Sequence, residues 1–189
     1  MDAVASQLAY SEHFSPAKAI TVEQTANLAG GRVQPYDALV ELRKVATAAG
    51  VLLHCDGARI WNAHVATGVP LMEYGRLFDV LSVCLSKGLG APAGSLVVGP
   101  ADLVQRARTI RKRLGGAMRQ GSGIMAAAGM YALDRNLGRL ADDHRRAAAL
   151  ATALARFGVA DPADVDTNIV LLNLAGTGWD ARGFAGAAA

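Results

Sequence analysis

Apolar positions along the chain alternate between two periods, and their order outlines an α/β arrangement. Over 35–49 (PYDALVELRKVATAA) Leu39, Leu42, Val45 and Ala46 fall on one helical face, with Pro35 near the start and Gly50 just past the end. That spacing predicts a helix. The short apolar run VLLHCD, 51–56, predicts a strand ending at Asp56, after which GARIWNAHVATG returns to helical spacing. A second run, DVLSVCLS at 79–86, predicts a strand that stops at Lys87; KGLGAPAGS is then a glycine-rich loop feeding a third strand, SLVVG at 95–99. From Pro100 the pattern is helical through PADLVQRARTIRKR, QGSGIMAAAGMYALDRN and an alanine-rich stretch from 137 to about 156, and these helices are expected to pack around the sheet. TNIVLLNL, 167–174, predicts a late strand, and GTGWDARGFAGAAA begins a further helix. Before Pro35 the start is irregular. Strand, helix, strand order predicts a mostly parallel sheet with flanking helices. With no repeat, low-complexity linker or heptad pattern, the expected organisation is part of a large α/β domain over 1–158 and the beginning of a small C-terminal α/β domain over 159–189.

Composition narrows the function classes. With 52% apolar and 19% charged positions in 189 residues, the chain is expected to fold around a core rather than remain disordered. No run of about 18 uncharged apolar residues occurs, which argues against a transmembrane helix. The first residues, MDAVASQLAYSEH, lack the layout of a signal peptide, so a cytoplasmic location is expected. Cys55 and Cys84 sit among apolar neighbours in no CxxC pair, which disfavours both a disulfide scaffold and a zinc site. A formal charge of +3 suggests an anionic small ligand at most, and 5% aromatics leave no stacking surface for nucleic acid.

Ligands of open α/β sheets bind beyond the carboxyl ends of the strands, and two such ends carry an acid and a base: Asp56 and Lys87. Each has a plain alternative, Lys87 as an exposed strand-end lysine and Asp56 as the N-cap of the following helix. Taken together they match what pyridoxal phosphate requires, a lysine to form a Schiff base with its aldehyde and a carboxylate to keep its ring nitrogen protonated. Arg59, Arg119 and the loop after Lys87 are candidates for the cofactor phosphate and a substrate carboxylate. Other features read as structural. His13, His54, His64 and His144 have no ligand spacing, so no metal is expected. RARTIRKR, 106–113, spreads its cations around a helix, a solvated face or subunit contact rather than a nucleic-acid stripe. DDHRR, 142–146, reads as another solvated face. MAAAGMYAL, 125–133, reads as core or helix interface, and KGLGAPAG places lysine before its glycines, the wrong order for a nucleotide phosphate loop.

HCDGARIWNA (54–63), SVCLSKGLGAPAGSLVVG (82–99) and RKRLGGAMRQ (111–120) resemble, in the right order, the cofactor-binding core of the low-specificity L-threonine aldolases. The resemblance runs from about Val22 to Leu174. It implies the aspartate-aminotransferase-like fold of pyridoxal-phosphate enzymes, within the aromatic amino acid β-eliminating lyase and threonine aldolase group. Residue by residue it implies Lys87 as the Schiff-base lysine, Asp56 as partner of the pyridine nitrogen, Arg59 against the ring hydroxyl oxygen and Arg119 near cofactor and substrate carboxylate. The implied reaction cleaves a β-hydroxy-α-amino acid such as threonine or allo-threonine into glycine and an aldehyde, in a homo-oligomer with sites at subunit interfaces.

Two departures accompany the resemblance. VEQTANLAGGRVQP resembles the family's Glu-Asn-Thr-His-Asn segment and glycine pair, but Ala26 stands at the histidine, a candidate partner of the substrate hydroxyl, and Gln24 at the asparagine. The chain also looks shortened at both ends, without the family's phosphate loop, the histidine that stacks on the ring, or the arginine that clamps the substrate carboxylate. The alternative expectation is therefore a catalytically silent remnant, or a subunit that acts only in association with other chains.

Overall fold

In the computed structural model, residues 1–8, 12, 15–117 and 122–188 are described. The elements are α1 (Asp2–Leu8), β1 (Ala19–Glu23), α2 (Tyr36–Ala48), β2 (Leu52–Gly57), α3 (Ile60–Thr67), α4 (Leu71–Leu77), β3 (Val80–Cys84), β4 (Ser95–Val98), α5 (Ala101–Arg113), α6 (Ser122–Asn136), α7 (Leu140–Ala155) and α8 (Ala181–Ala187). The four strands form one sheet in the order β1-β2-β3-β4. β1, β2 and β3 run parallel, and β4 returns antiparallel to β3. The expected mostly parallel sheet with flanking helices is what forms. Each strand connection follows from composition: α2 and the α3–α4 pair are crossovers between parallel neighbours, while the ten-residue glycine-rich stretch from Leu85 to Gly94 is too short for one and turns the chain back.

The period-two alternation of β2 and β3 sorts side chains by face. Leu53, Cys55, Leu81 and Val83 are buried, and they pack with Leu39, Leu42 and Ala46 of α2, Ile60 and Ala63 of α3, and Tyr74 and Leu77 of α4. Their neighbours on the opposite face, His54, Asp56, Ser82 and Cys84, are only half-buried. Register aligns Glu23 of β1 with Asp56 of β2, and Asp56 with Ser82 of β3. A second, smaller core holds Leu85, Leu89, Ala91, Ala132 and Leu140, with Trp61 packed against it.

Several expectations change. The irregular start contains α1 and the edge strand β1. TNIVLLNL forms no strand: 167–174 is irregular, with the Asn173 amide donating to the Val159 carbonyl, while the Thr167 and Asn168 side chains bond to Gly31 and Asn62 in distant parts of the chain. α5 lies along β4 without a single buried residue, so of the helices expected around the sheet it is the one with no core face. On α6 only Gly129 and Ala132 are buried among the described residues, and Ile124, Met130 and Tyr131 are exposed. No helix among the described residues is long and apolar enough to cross a membrane.

Candidate active site

Asp56 is the penultimate residue of β2, at the carboxyl end of a parallel strand flanked by two others. Its side chain does not cap α3, whose N-cap is Arg59 without a side-chain hydrogen bond. The Asp56 carboxylate instead accepts, through Oδ1, the Ala58 amide at 3.1 Å, which folds the chain back over the strand end and leaves Oδ2 available. The main-chain carbonyl of Asp56 accepts the Gln24 amide at 2.8 Å, so the segment after β1 hangs on the same strand end. One position earlier, Cys55 points into the core, where burial and then the neighbouring Asp56 charge push its thiol up to about 12. That thiol stays protonated and takes no part in acid-base chemistry at neutral pH.

Lys87 follows β3, the strand beside β2, and its side chain is exposed. The turn beneath it is pinned at several points. The Gly90 amide donates to the Lys87 carbonyl at 2.8 Å and Gly90 has φ +75°, a conformation that a side chain would strain. Asn136, the last residue of α6, donates from Nδ2 to the Leu89 carbonyl at 2.7 Å. Leu89 is buried in the smaller core, and a Cβ on Gly88 would stand 2.7 Å from Leu140 Cδ2. Trp61 Nε1 donates to the Cys84 carbonyl at 2.8 Å, tying α3 to the end of β3. Among the described residues Lys87 makes no ion pair.

The structure thus brings Asp56, Arg59 and Lys87 to the carboxyl ends of adjacent strands, where half-buried side chains face outwards. Arg119 and His13 lie outside the described residues. His54 shares the Asp56 face, and no group of acids, histidines or cysteines among the described residues could hold a metal ion. Sequence reasoning missed Asn136, Asn62 and Thr167 and met Gln24 only as a departure from the family's asparagine; all four fix the segments around these strand ends. The amides at the end of α6 and in IWNA carried a weak signal, since a buried amide on an apolar helix face must find partners.

The described residues share the fold of part of a pyridoxal-phosphate-bound candidate aminotransferase from Clostridium difficile, which superposes with TM-score 0.64 at 12% identity, over 88% of this chain and 46% of that one. A candidate L-allo-threonine aldolase from Listeria monocytogenes matches with TM-score 0.73 and 25% identity, covering 79% of this chain and 42% of the other. Residues 1–177 match the beta-eliminating lyase family, and the chain belongs to it. The low specificity L-threonine aldolase of Escherichia coli K12 is 46% identical over 162 residues, 86% of this chain and 47% of that protein. The chain spans less than half the length of the curated relatives it matches.

Proposed function

We propose that this chain carries the cofactor-binding core of a pyridoxal 5′-phosphate-dependent aldehyde-lyase that cleaves threonine or allo-threonine to glycine and acetaldehyde. The observation that carries the reading is the pair of adjacent strand ends, one with Asp56 half-buried and one with Lys87 exposed on a pinned turn. The donor set fits the cofactor: an amine with no carboxylate partner among the described residues, a carboxylate with one oxygen still open, and a guanidinium at Arg59. Pyridoxal phosphate, when bound, supplies an electron sink for the pair released as the Cα–Cβ bond breaks. Lys87 Nζ would hold it covalently, Asp56 would keep a proton on its ring nitrogen, and Arg59 would meet its ring hydroxyl oxygen. Arg119 is proposed beside the substrate carboxylate, where a guanidinium fork suits an oxyanion. The β-hydroxyl proton must pass to a base as the aldehyde leaves, and Ala26, half-buried in the segment after β1, has no lone pair on its side chain to accept it. Another base or a water therefore takes that proton in this chain, and the expected consequence is slow turnover.

A second reading, a chain active only in association with others, is favoured by the sheet face that the described helices leave half-buried. One experiment addresses both. Pyridoxal phosphate is added to the purified chain, the visible spectrum is recorded, and borohydride is used to fix any adduct before peptide mapping. A reduced adduct on Lys87, absent in Lys87→Ala, together with acetaldehyde released from threonine is the expected result. An adduct elsewhere, or undiminished cleavage by Lys87→Ala, would falsify the assignment. An adduct without cleavage until other chains are supplied selects the second reading.

A further inference from the structure

Among the described residues four polar side chains are essentially removed from solvent: Gln24, Thr25, Asn62 and Thr167, each 2% exposed or less. They do not scatter through the core. All four lie in or against the segment 24–34 and the start of α3, around the carboxyl ends of β1 and β2. Burying hydrogen-bonding groups costs stability unless they are paired; Gln24, Asn62 and Thr167 are paired, while Thr25 Oγ1 has no partner among the described residues, and what paired groups give in return is a fixed geometry that apolar packing alone does not impose.

The 24–34 segment is closed on itself by Gln24, whose side-chain amide accepts from the Gln34 amide at 2.9 Å and donates to the Gln34 carbonyl at 3.1 Å. Ala26 and Arg32 face each other in an antiparallel bridge. From outside, two consecutive side chains hold it, and the next one holds the start of α3. Asp166 Oδ2 accepts the Val33 amide at 2.9 Å and lies 3.2 Å from Arg32 Nε. Thr167 Oγ1 donates to the Gly31 carbonyl at 2.8 Å, from 136 residues further along the chain. Asn168 Oδ1 accepts from Asn62 Nδ2 at 3.2 Å, and the same Asn62 nitrogen lies 3.0 Å from His144 Nε2 of α7. The approach leaves no spare room: a Cβ on Gly31, at φ +72°, would be 2.6 Å from Thr167 Oγ1.

We propose that Asp166, Thr167 and Asn168 are positioning residues, a clip that sets the 24–34 segment and the first turn of α3 against the strand ends carrying Asp56. They touch none of the candidate catalytic groups. Their effect passes through the Gln24 amide to the Asp56 carbonyl and through Asn62 to the helix that begins after Arg59. The stretch that forms no strand thereby acquires a role, because its side chains direct their hydrogen bonds to the walls of the site. The inference rests on the proposed function only in taking pyridoxal phosphate as the probe of the site.

The test uses the whole chain and three variants, Thr167→Val, Thr167→Ser and Arg32→Gln, with two readouts: amide hydrogen exchange by peptide, and pyridoxal phosphate affinity from the visible band. Valine keeps the shape of threonine and deletes the donor to Gly31, so exchange across 24–34 should rise about tenfold while peptides of α2 and β2 hold their rates, and cofactor affinity should fall by a similar factor. Serine should restore both, which a merely space-filling role would not predict. Arg32→Gln removes the ion pair to Asp166, and a second to Asp164 at 3.2 Å, from a side chain that is partly in solvent, so it tests the clip even where Thr167→Val fails to fold; it should move both readouts the same way. Unchanged exchange in 24–34, equal acceleration throughout the chain, or a loosened segment with unaltered affinity would each overturn the proposal. A wild-type chain that gives no cofactor band refutes the cofactor reading instead, and the exchange pattern alone then sustains or overturns the clip.

Discussion

Gly88 and Asn136 show how single residues decide where Lys87 stands. Gly88 has no side chain because Leu140 occupies the space one would need, and Leu140 is 1% exposed within the smaller core, so it cannot swing aside. Asn136 satisfies the Leu89 carbonyl, which the turn would otherwise bury without a donor. Gly88→Ala is expected to destabilise the chain by roughly 1–3 kcal/mol through overpacking. Asn136→Ala should cost about 1–2 kcal/mol for the orphaned carbonyl. Urea titration measures both. Because each acts at the Lys87 turn, each should also lower the yield of borohydride-fixed cofactor on Lys87 at matched folded fraction, whereas Leu150→Ala, an exposed position on α7, should change neither. Full adduct yield in both turn variants would show that the turn does not position the lysine.

Between elements, Asp79 is the joint of the sheet with α2. It precedes β3, its carboxylate accepts the Leu53 amide of β2 at 2.7 Å, and Arg43 of α2 reaches it at 2.8 Å. Burial pushes the carboxyl up, but the Leu53 and Arg43 hydrogen bonds and the Arg43 charge together hold it below its ordinary value. A carboxyl depressed in the folded state binds fewer protons there than in the unfolded chain. Its stabilisation is therefore complete above about pH 4, the ordinary aspartate value, and is lost as pH falls through the lower folded value. Asp79→Asn should flatten that part of the stability-pH curve, by about 1 kcal/mol after allowance for side chains a quarter to a third exposed; an unchanged acid limb would refute the joint. Legibility in the sequence follows the same logic of partners. α2, β2 and β3 were readable because their own periodicity shows which side is buried. β1 was not, since AITVE is a short edge strand whose only ladder partner among the described residues is β2. Residues 167–174 misled because an apolar run predicts a strand only where a neighbour offers hydrogen bonds, and Thr167 and Asn168 find theirs in side-chain contacts across the molecule. For the candidate site, the placement of Asp56 and Lys87 at neighbouring strand ends was legible from the strand pattern, whereas Gln24, Asn62 and Asn136 act through pairings more than a helix apart in sequence, or with main-chain atoms, which no local spacing encodes.

At the scale of the molecule, the sheet is asymmetric. One face carries the larger core, built from α2, α3 and α4, and the other presents the half-buried row Glu23, Asp56 and Ser82, continued by the exposed Val97 on β4. Strands covered on both faces are usually apolar on both, and here the alternation of LLHCDG and VLSVC leaves polar groups on the second face, a pattern in keeping with the cofactor site proposed above. A ligand that binds only the folded chain stabilises it by mass action, about 2.7 kcal/mol at a hundredfold excess over its dissociation constant. For a chain of this length that corresponds to a rise of roughly 5–10 °C in melting temperature. Pyridoxal phosphate should produce such a rise in the wild-type chain and a much smaller one in Lys87→Ala, while inorganic phosphate at the same concentration should produce little, because the larger part of the effect is tied to the lysine. Hydrogen exchange should slow in β2, β3 and the Lys87 turn but not in α5, which lies along β4 with no buried residue. Equal stabilisation of the wild type and Lys87→Ala would assign the cofactor to some other surface and leave the bare face to protein.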